Sequence, residues 1–275
     1  MKEMMRKKTD RVGLVALSSL WLFSCAVSVN HGSQLAAGED LSILTHGHYP
    51  QHVLLKLPRG FDAKKKYPLL VALHGNGGNA EGLSPAFNGF RDKQILIALP
   101  QGGYPKAIGG YSWFYETPDR SVWEAEDRNS VSRVVEAISE VASSYPVEKV
   151  YLFGFSQGVS LAYMIGLLHP SLVSGVAAVS GIMPEIDKEG SILHAADIEK
   201  AKNVRIFIAR GTSDGLLERR HLTSQNEYFI NKGFSVTLCE FQGGHTLTSE
   251  LMGRVLKWLR ALHELPAADD DQVLD

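Results

Sequence analysis

The sequence predicts an α/β fold: one domain with a mostly parallel sheet, helices on both faces and no large lid domain. Three observations carry that expectation. Apolar runs of strand length alternate with longer runs of helical period along the chain. Several of the strand runs are apolar at nearly every position, as in a sheet covered on both sides. The 275 residues, 44% of them hydrophobic and 21% charged, are an ordinary globular balance and enough for one sizeable core.

The elements read as follows. Gln51–Leu57 is a strand closed by the turn Pro58-Arg59-Gly60, and 61–67 is a solvated loop. Leu69–Leu73 is a fully apolar strand running into His74-Gly75-Asn76-Gly77-Gly78-Asn79. Gln94–Pro100 is a third strand. Ser121-Val-Trp-Glu124 can form a capping box, and the helix after it carries Val131, Val134, Val135, Ile138 and Val141 on one face. Val150–Phe153 is a strand, and the apolar stretch from Val159 is a helix. Val173–Ser180 and Val204–Ala209 are strands separated by a polar loop or short helix over 185–203. A helix over about 218–232, the strand Phe234–Phe241 and a helix from about Thr248 to His263 complete the domain.

The ends read differently. Residues 1–25 look like an export signal, with Lys2, Arg6, Lys7, Lys8 and Arg11 ahead of a mostly apolar Val12–Phe23. That stretch is shorter than the ~20 residues needed to span a bilayer. It ends Leu22-Phe23-Ser24-Cys25, which resembles a bacterial lipobox with Cys25 as the lipid-bearing residue. The alternative is a plain secretory signal cut after Ser24, with Cys25 incidental. The expected location is the bacterial cell envelope: lipid-anchored at the outer membrane or periplasmic face, otherwise periplasmic or secreted. Residues 26–45 read as a flexible tether, 46–264 as the domain and 265–275 as an acidic, disordered tail.

Composition excludes some roles. A formal charge of −2 with dispersed basic residues gives no footprint for nucleic acid. Cys25 and Cys239 have no zinc-ligand or C-x-x-C spacing, and no Walker-type loop is present. No metal or cofactor is expected, and the sequence does not give the oligomeric state.

The stretch with the most chemical content is Gly154-Phe155-Ser156-Gln157-Gly158, a G-x-S-x-G turn between strand and helix. There the serine hydroxyl stands out at the top of the sheet, and the helix behind it points N–H groups at any oxyanion formed on it. A serine needs a base, and the base needs a carboxylate to orient it. Asp214 lies just past one strand end in Gly-Thr-Ser-Asp-Gly, and His245 follows the last strand in Gly-Gly-His. His221 and His263 fall inside helices and His194 in the polar loop, so they compete poorly. The loop after the third strand is dense in aromatics, including Tyr111, Trp113, Phe114 and Tyr115; it is either packing or a substrate wall.

These motifs resemble the phospholipase/carboxylesterase branch of the α/β-hydrolase superfamily, which includes acyl-protein thioesterases and has secreted feruloyl-esterase and polyhydroxybutyrate-depolymerase-like relatives. The matching segments are His74-Gly75-Asn76-Gly77, Ser112-Trp113-Phe114, the serine turn, Ser180-Gly181 with Pro184, Gly211-Thr212-Ser213-Asp214 and Gly244-His245. The resemblance implies a Ser156–His245–Asp214 triad and an oxyanion hole from the backbone N–H groups of Gln157 and Asn76. It also implies that Trp113, Phe114, Ile182 and Met183 lie on loops beside the serine. The expectation is a serine carboxylesterase acting on small-molecule esters with short to medium acyl or aryl groups. The alternatives are an acyl-thioesterase or lysophospholipase, an acyltransferase, and a non-catalytic ligand-binding lipoprotein. Two departures bear on substrate: Gly-Asn-Gly-Gly-Asn follows His74 where Gly-Leu-Gly-Asp is usual, and Val159 stands where a second glycine is usual.

Overall fold

The computed structural model describes residues 40–107 and 109–263. The expected signal segment with Cys25, residues 26–39 of the tether and the acidic tail lie outside them. Eight strands form one sheet in the order β1-β2-β4-β3-β7-β8-β9-β10. They are β1 (Asp40–Leu44), β2 (His52–Lys56), β3 (Tyr67–Leu73), β4 (Leu96–Pro100), β7 (Val147–Phe155), β8 (Val173–Val179), β9 (Arg205–Gly211) and β10 (Val236–Phe241). From β4 to β10 all neighbours are parallel; β1 and β2 are antiparallel additions at one edge. A two-stranded ribbon, β5 (Tyr104–Pro105) and β6 (Tyr111–Ser112), stands apart from the sheet.

The apolar runs form the sheet because both its faces are covered. One face packs α2 (Trp123–Ser144), α3 (Gln157–Leu168), α4 (Ala195–Lys200) and α5 (Arg219–Asn231) over residues such as Leu69, Leu152 and Ile206. The other packs α1 (Ala80–Leu83), the 3₁₀ segment Ser84–Lys93 and α6 (Ser249–His263) over Leu70, Phe153 and Phe207. β3 is buried at every position, as its uninterrupted apolar sequence requires. Among the described residues no helix is long and apolar enough to cross a membrane.

Two expectations are corrected and one unread element is added. Residues 40–44 are a strand, not tether: Leu41 and Ile43 pack against the core, and Asp40 pairs with the buried Lys56 at 2.9 Å and with Arg91. The capping box at Ser121 is replaced by Asp119, whose carboxylate accepts from the Ser121 N–H at 3.0 Å and opens a 3₁₀ turn that leads into α2. Residues 80–93 are helical, a segment whose Pro85, Asn88 and Gly89 disrupt any clear period.

This strand order creates a switch point. The chain leaves β3 toward β4 on one side and leaves β7 toward β8 on the other. The crevice beyond the carboxyl ends of β3 and β7 is therefore open, the usual ligand position in such a sheet.

Candidate active site

Ser156 stands at the end of β7 with φ 54° and ψ −117°. This is a strained backbone for a residue with a Cβ, of a kind that persists only where the surroundings enforce it. Its N–H donates to the Val179 carbonyl at 3.0 Å, and its carbonyl accepts from Val159 N–H at 3.0 Å. Close approach of α3 to the sheet fixes the turn. A Cβ on Gly158 would lie 2.4 Å from the Leu73 carbonyl oxygen, so only glycine fits there. α3 begins at Gln157, so the Gln157 N–H is one of the first-turn donors that a helix cannot satisfy internally.

Asp214 and His245 are brought together by two interlocked loops. A Cβ on Gly211 would lie 2.3 Å from the Gly244 carbonyl oxygen, so the loops after β9 and β10 touch backbone to backbone. Thr212 N–H donates to Phe241 O, and Ser213 N–H to Gly243 O, both at 2.9 Å. Asp214 Oδ1 accepts from the Leu216 and Leu217 N–H groups at 2.9 Å each. His245 Nδ1 lies 3.1 and 3.0 Å from the two carboxylate oxygens. Burial on its own would raise the Asp214 pKa. The Leu217 N–H, His245, Ser180 and the Leu216 N–H outweigh it and hold the carboxyl below its ordinary value. A carboxylate has only acceptors, so the proton between the pair sits on Nδ1 and leaves Nε2 bare. The imidazole packs against Phe155, the residue before Ser156, with ring centroids 5.0 Å apart.

Arg210 is a participant the sequence did not advertise. It is buried, and its guanidinium donates to the carbonyls of Leu217 (2.5 Å), Asp214 (2.9 Å) and Thr212 (3.5 Å). It clamps the loop that presents the Asp214 carboxylate.

His74 is structural. Its Nε2 accepts from Gly102 N–H at 2.9 Å, so Nδ1 carries the proton and donates to Gly75 O at 2.8 Å. Burial lowers its pKa, only partly offset by that carbonyl and by Glu81. The neutral ring shapes the glycine-rich loop: Gly78 N–H returns to Gly75 O, and Gly77 N–H donates to Tyr111 O, both at 2.9 Å. Asn76 sits exposed between them, next to Gly75, where a Cβ would lie 3.2 Å from that of Ser156.

Of the four residues expected to wall the substrate, Trp113 turns into the core. Trp113 is 2% exposed, stacked on His74 at 4.6 Å, with Nε1 donating to His74 O at 2.7 Å. It is a core residue beneath the glycine-rich loop. Its main-chain N–H donates to Gln157 Oε1 at 3.0 Å, which ties the aromatic loop to the helix start. Met183 packs against the core and Ile182 is exposed. Phe114 lines a cavity of about 680 Å³ between α2 and α3, together with Tyr115, Trp123 and Met164. The larger cleft, about 1090 Å³, runs from the 74–79 loop and His245 to Leu83, Phe90, Met252 and Leu256. The sequence reading missed Leu83, Phe90, Met252 and Leu256. Only their place after each site loop could have pointed to them.

Comparisons with known proteins agree with this architecture. The family model described as Phospholipase/Carboxylesterase matches residues 61–263. A probable carboxylesterase of Oryza sativa subsp. japonica is 26% identical, over 75% of this chain and 82% of its own. Acyl-protein thioesterase 1 of Schizosaccharomyces pombe is 25% identical, over 70% of this chain and 90% of its own. Among solved structures, a carboxylesterase from Mesorhizobium loti superposes with a TM-score of 0.62 at 20% identity, covering 79% of this chain and 98% of that one; at that identity it speaks to the α/β-hydrolase fold alone. The chain belongs to the phospholipase/carboxylesterase family of α/β-hydrolases.

Proposed function

We propose that the chain is a serine carboxylesterase whose nucleophile is Ser156, with His245 as base and Asp214 as its orienting carboxylate. His245 Nε2 takes the Ser156 Oγ proton as Oγ adds to the ester carbonyl. The tetrahedral oxyanion is held by the N–H groups of Gln157 and Asn76. Collapse expels the alcohol, which receives the proton from His245 and leaves an acyl-serine. Water, deprotonated by His245, then adds to the acyl carbon; the acid leaves and Oγ recovers its proton. No proton is gained or lost over the cycle beyond that of ester hydrolysis.

The observation that carries this reading is the His245–Asp214 pair. It is fixed by backbone donors in the tautomer that leaves Nε2 free, and its imidazole packs on Phe155, the residue before a serine held at φ 54° at the start of a helix. Small esters with short to medium acyl or aryl groups are the substrates the open clefts suit. Thioesters belong in the same screen, given the fission-yeast relative's name. The test is Ser156→Ala with a fluorophosphonate probe. Hydrolysis should fall to the residual ~10³-fold over water that an oxyanion hole alone supplies, and the probe should label Ser156 only. Labelling elsewhere, or turnover retained in the variant, would overturn the assignment.

The leader motif supports a second part of the proposal: Cys25 becomes the lipid-bearing N-terminus and holds the enzyme at the cell envelope. Mass spectrometry should find a diacylated Cys25 in the membrane fraction. A soluble mature chain that begins at another residue would refute the anchor.

A further inference from the structure

We infer that the cleft between the 3₁₀ segment 84–93 and α6 receives the leaving group of the ester, and that Gly253 and Gly89 set how large that group can be. This rests on the proposed reaction at Ser156 and His245 and extends it to substrate choice.

The first step is chemical. His245 Nδ1 is bound to the Asp214 carboxylate, so Nε2 alone can pass a proton to the departing oxygen or sulfur. The leaving atom must come within about 3 Å of Nε2 when the bond breaks. Whatever that atom carries must then occupy space contiguous with His245.

The second step is geometric. The cleft of about 1090 Å³ has His245 and the glycine-rich loop at its mouth, and it continues between the 3₁₀ segment and the first turns of α6. Its lining brings His245 together with Asn76 and with Phe155, the residue before Ser156. The cavity of about 680 Å³ on the α2/α3 side touches neither His245 nor the glycine-rich loop, so it cannot seat the group His245 protonates. The two cavities lie on opposite faces of the sheet, since Phe90 and Met252 belong to one core and Met164 to the other. A bound ester would thus direct its alcohol or thiol portion toward α6.

The third step concerns room. Leu83, Phe90, Met252 and Leu256 make an apolar wall, interrupted by glycines on each side. A Cβ built on Gly89 or on Gly253 meets no atom within 4 Å, so neither glycine is required by packing. Neither has positive φ, so neither is required by the backbone. Gly253 lies inside α6, where glycine weakens the helix. Their effect is to leave the cleft wide. The inferred substrates are esters or thioesters with most of their bulk on the alcohol or thiol side.

The test compares wild type with Gly253→Trp on two ester series. One holds the acyl group as butyrate and changes the alcohol from methanol to cyclohexylmethanol. The other holds methanol and lengthens the acyl chain from acetate to octanoate. The expected result is a fall of at least ~10-fold in the cyclohexylmethyl-to-methyl ratio of kcat/KM, within the range that hydrophobic pockets discriminate. The rank order of the methyl esters should be retained. Gly89→Trp, from the facing wall, should act in the same direction and decides the matter if Gly253→Trp fails to fold. An unchanged alcohol ratio, or a changed acyl preference instead, would overturn the inference while leaving the catalytic reading intact. Failure of the wild type to cleave any ester would remove that reading, and this inference with it.

Discussion

Replacing Trp113 separates a packing role from a substrate role. The indole is 2% exposed, stacked on His74 with an interplanar angle of 30°, and it donates from Nε1 to the His74 carbonyl at 2.7 Å. Trp113→Ala removes nearly the whole ring from a close-packed site, a change worth about 3–5 kcal/mol. It also strips the buried His74 carbonyl of its donor, about 1–3 kcal/mol more if no water replaces it. Against a typical domain stability of about 5–15 kcal/mol, the alanine variant approaches the folding threshold. Trp113→Phe is the sharper probe, because it keeps an aromatic ring against His74 and loses mainly the N–H donor. Its expected loss is about 1–3 kcal/mol, read as a lower urea midpoint at unchanged m-value. On a short methyl ester kcat should fall, because the loop carrying Asn76 loses an anchor, while KM changes less than kcat. A wild-type midpoint combined with a several-fold rise in KM would refute the packing argument and return Trp113 to the pocket wall.

Two further predictions concern the charged groups. Asp214→Asn keeps an oxygen for the Leu216 and Leu217 N–H groups but offers His245 Nδ1 an amide donor, so the proton moves to Nε2 and the base is lost. In the worked serine-protease case this swap lowers kcat ~10⁴-fold. A similar loss with little change in melting temperature is expected here, and near-wild-type kcat would sink the orienting role. The third is linkage. His74 has a lowered pKa in the fold, so below the unfolded value of about 6.5 the unfolded chain binds more protons; stability is full above that pH and declines as pH falls through it. His169 and His263, also lowered by burial, act in the same direction. Asp127 opposes them: burial first, then Glu126, raise its carboxyl to about 7, so between about 7 and 4 the folded form binds the extra proton and stability gains on acidification. Asp127→Asn should therefore lose stability more steeply than wild type between pH 7 and 5, measured as urea midpoints, and parallel curves would contradict this assignment.

Most of the sheet was legible because its strands are buried on both faces. β3, β4, β8 and the buried part of β7 from Val150 on are short apolar runs that no solvent-facing element would carry. β1 was not legible, since DLSIL half-exposes its residues and depends for its place on Asp40 meeting Lys56 and Arg91. The segment 84–93 hid for a related reason: Phe87 and Phe90 are its buried apolar residues, and Asn88 and Gly89 between them break the pattern. At the site, Ser156, Asp214 and His245 stood out as candidates because each follows the end of a strand, where a parallel sheet gathers its loops. Trp113 and Arg210 could not be assigned, because spacing along the chain does not say which way a side chain turns. The partner of the Trp113 indole is a carbonyl in a distant loop, and those of Arg210 are three carbonyls with no charge to announce them.

The same geometry explains why the elements of the site can be rigid without being contiguous. The serine turn is held from below by α3 pressed against β3, a contact that leaves no room for a Cβ on Gly158. The Asp214 and His245 loops are held by each other, through Gly211 against Gly244, and by Arg210 from inside. The glycine-rich loop is held by His74 and Trp113, and Trp113 is joined to the serine turn through Gln157. Each loop is thus secured by backbone contacts or buried polar groups, which do not fade with salt as an exposed ion pair does. A strained φ at Ser156, of a kind that costs about 1–3 kcal/mol, is sustainable only on such a base. The openness of the cleft toward α6 follows from the same division. The walls around the candidate site residues are close-packed, whereas the cleft wall beyond them includes Gly89 and Gly253, where a Cβ would meet nothing within 4 Å.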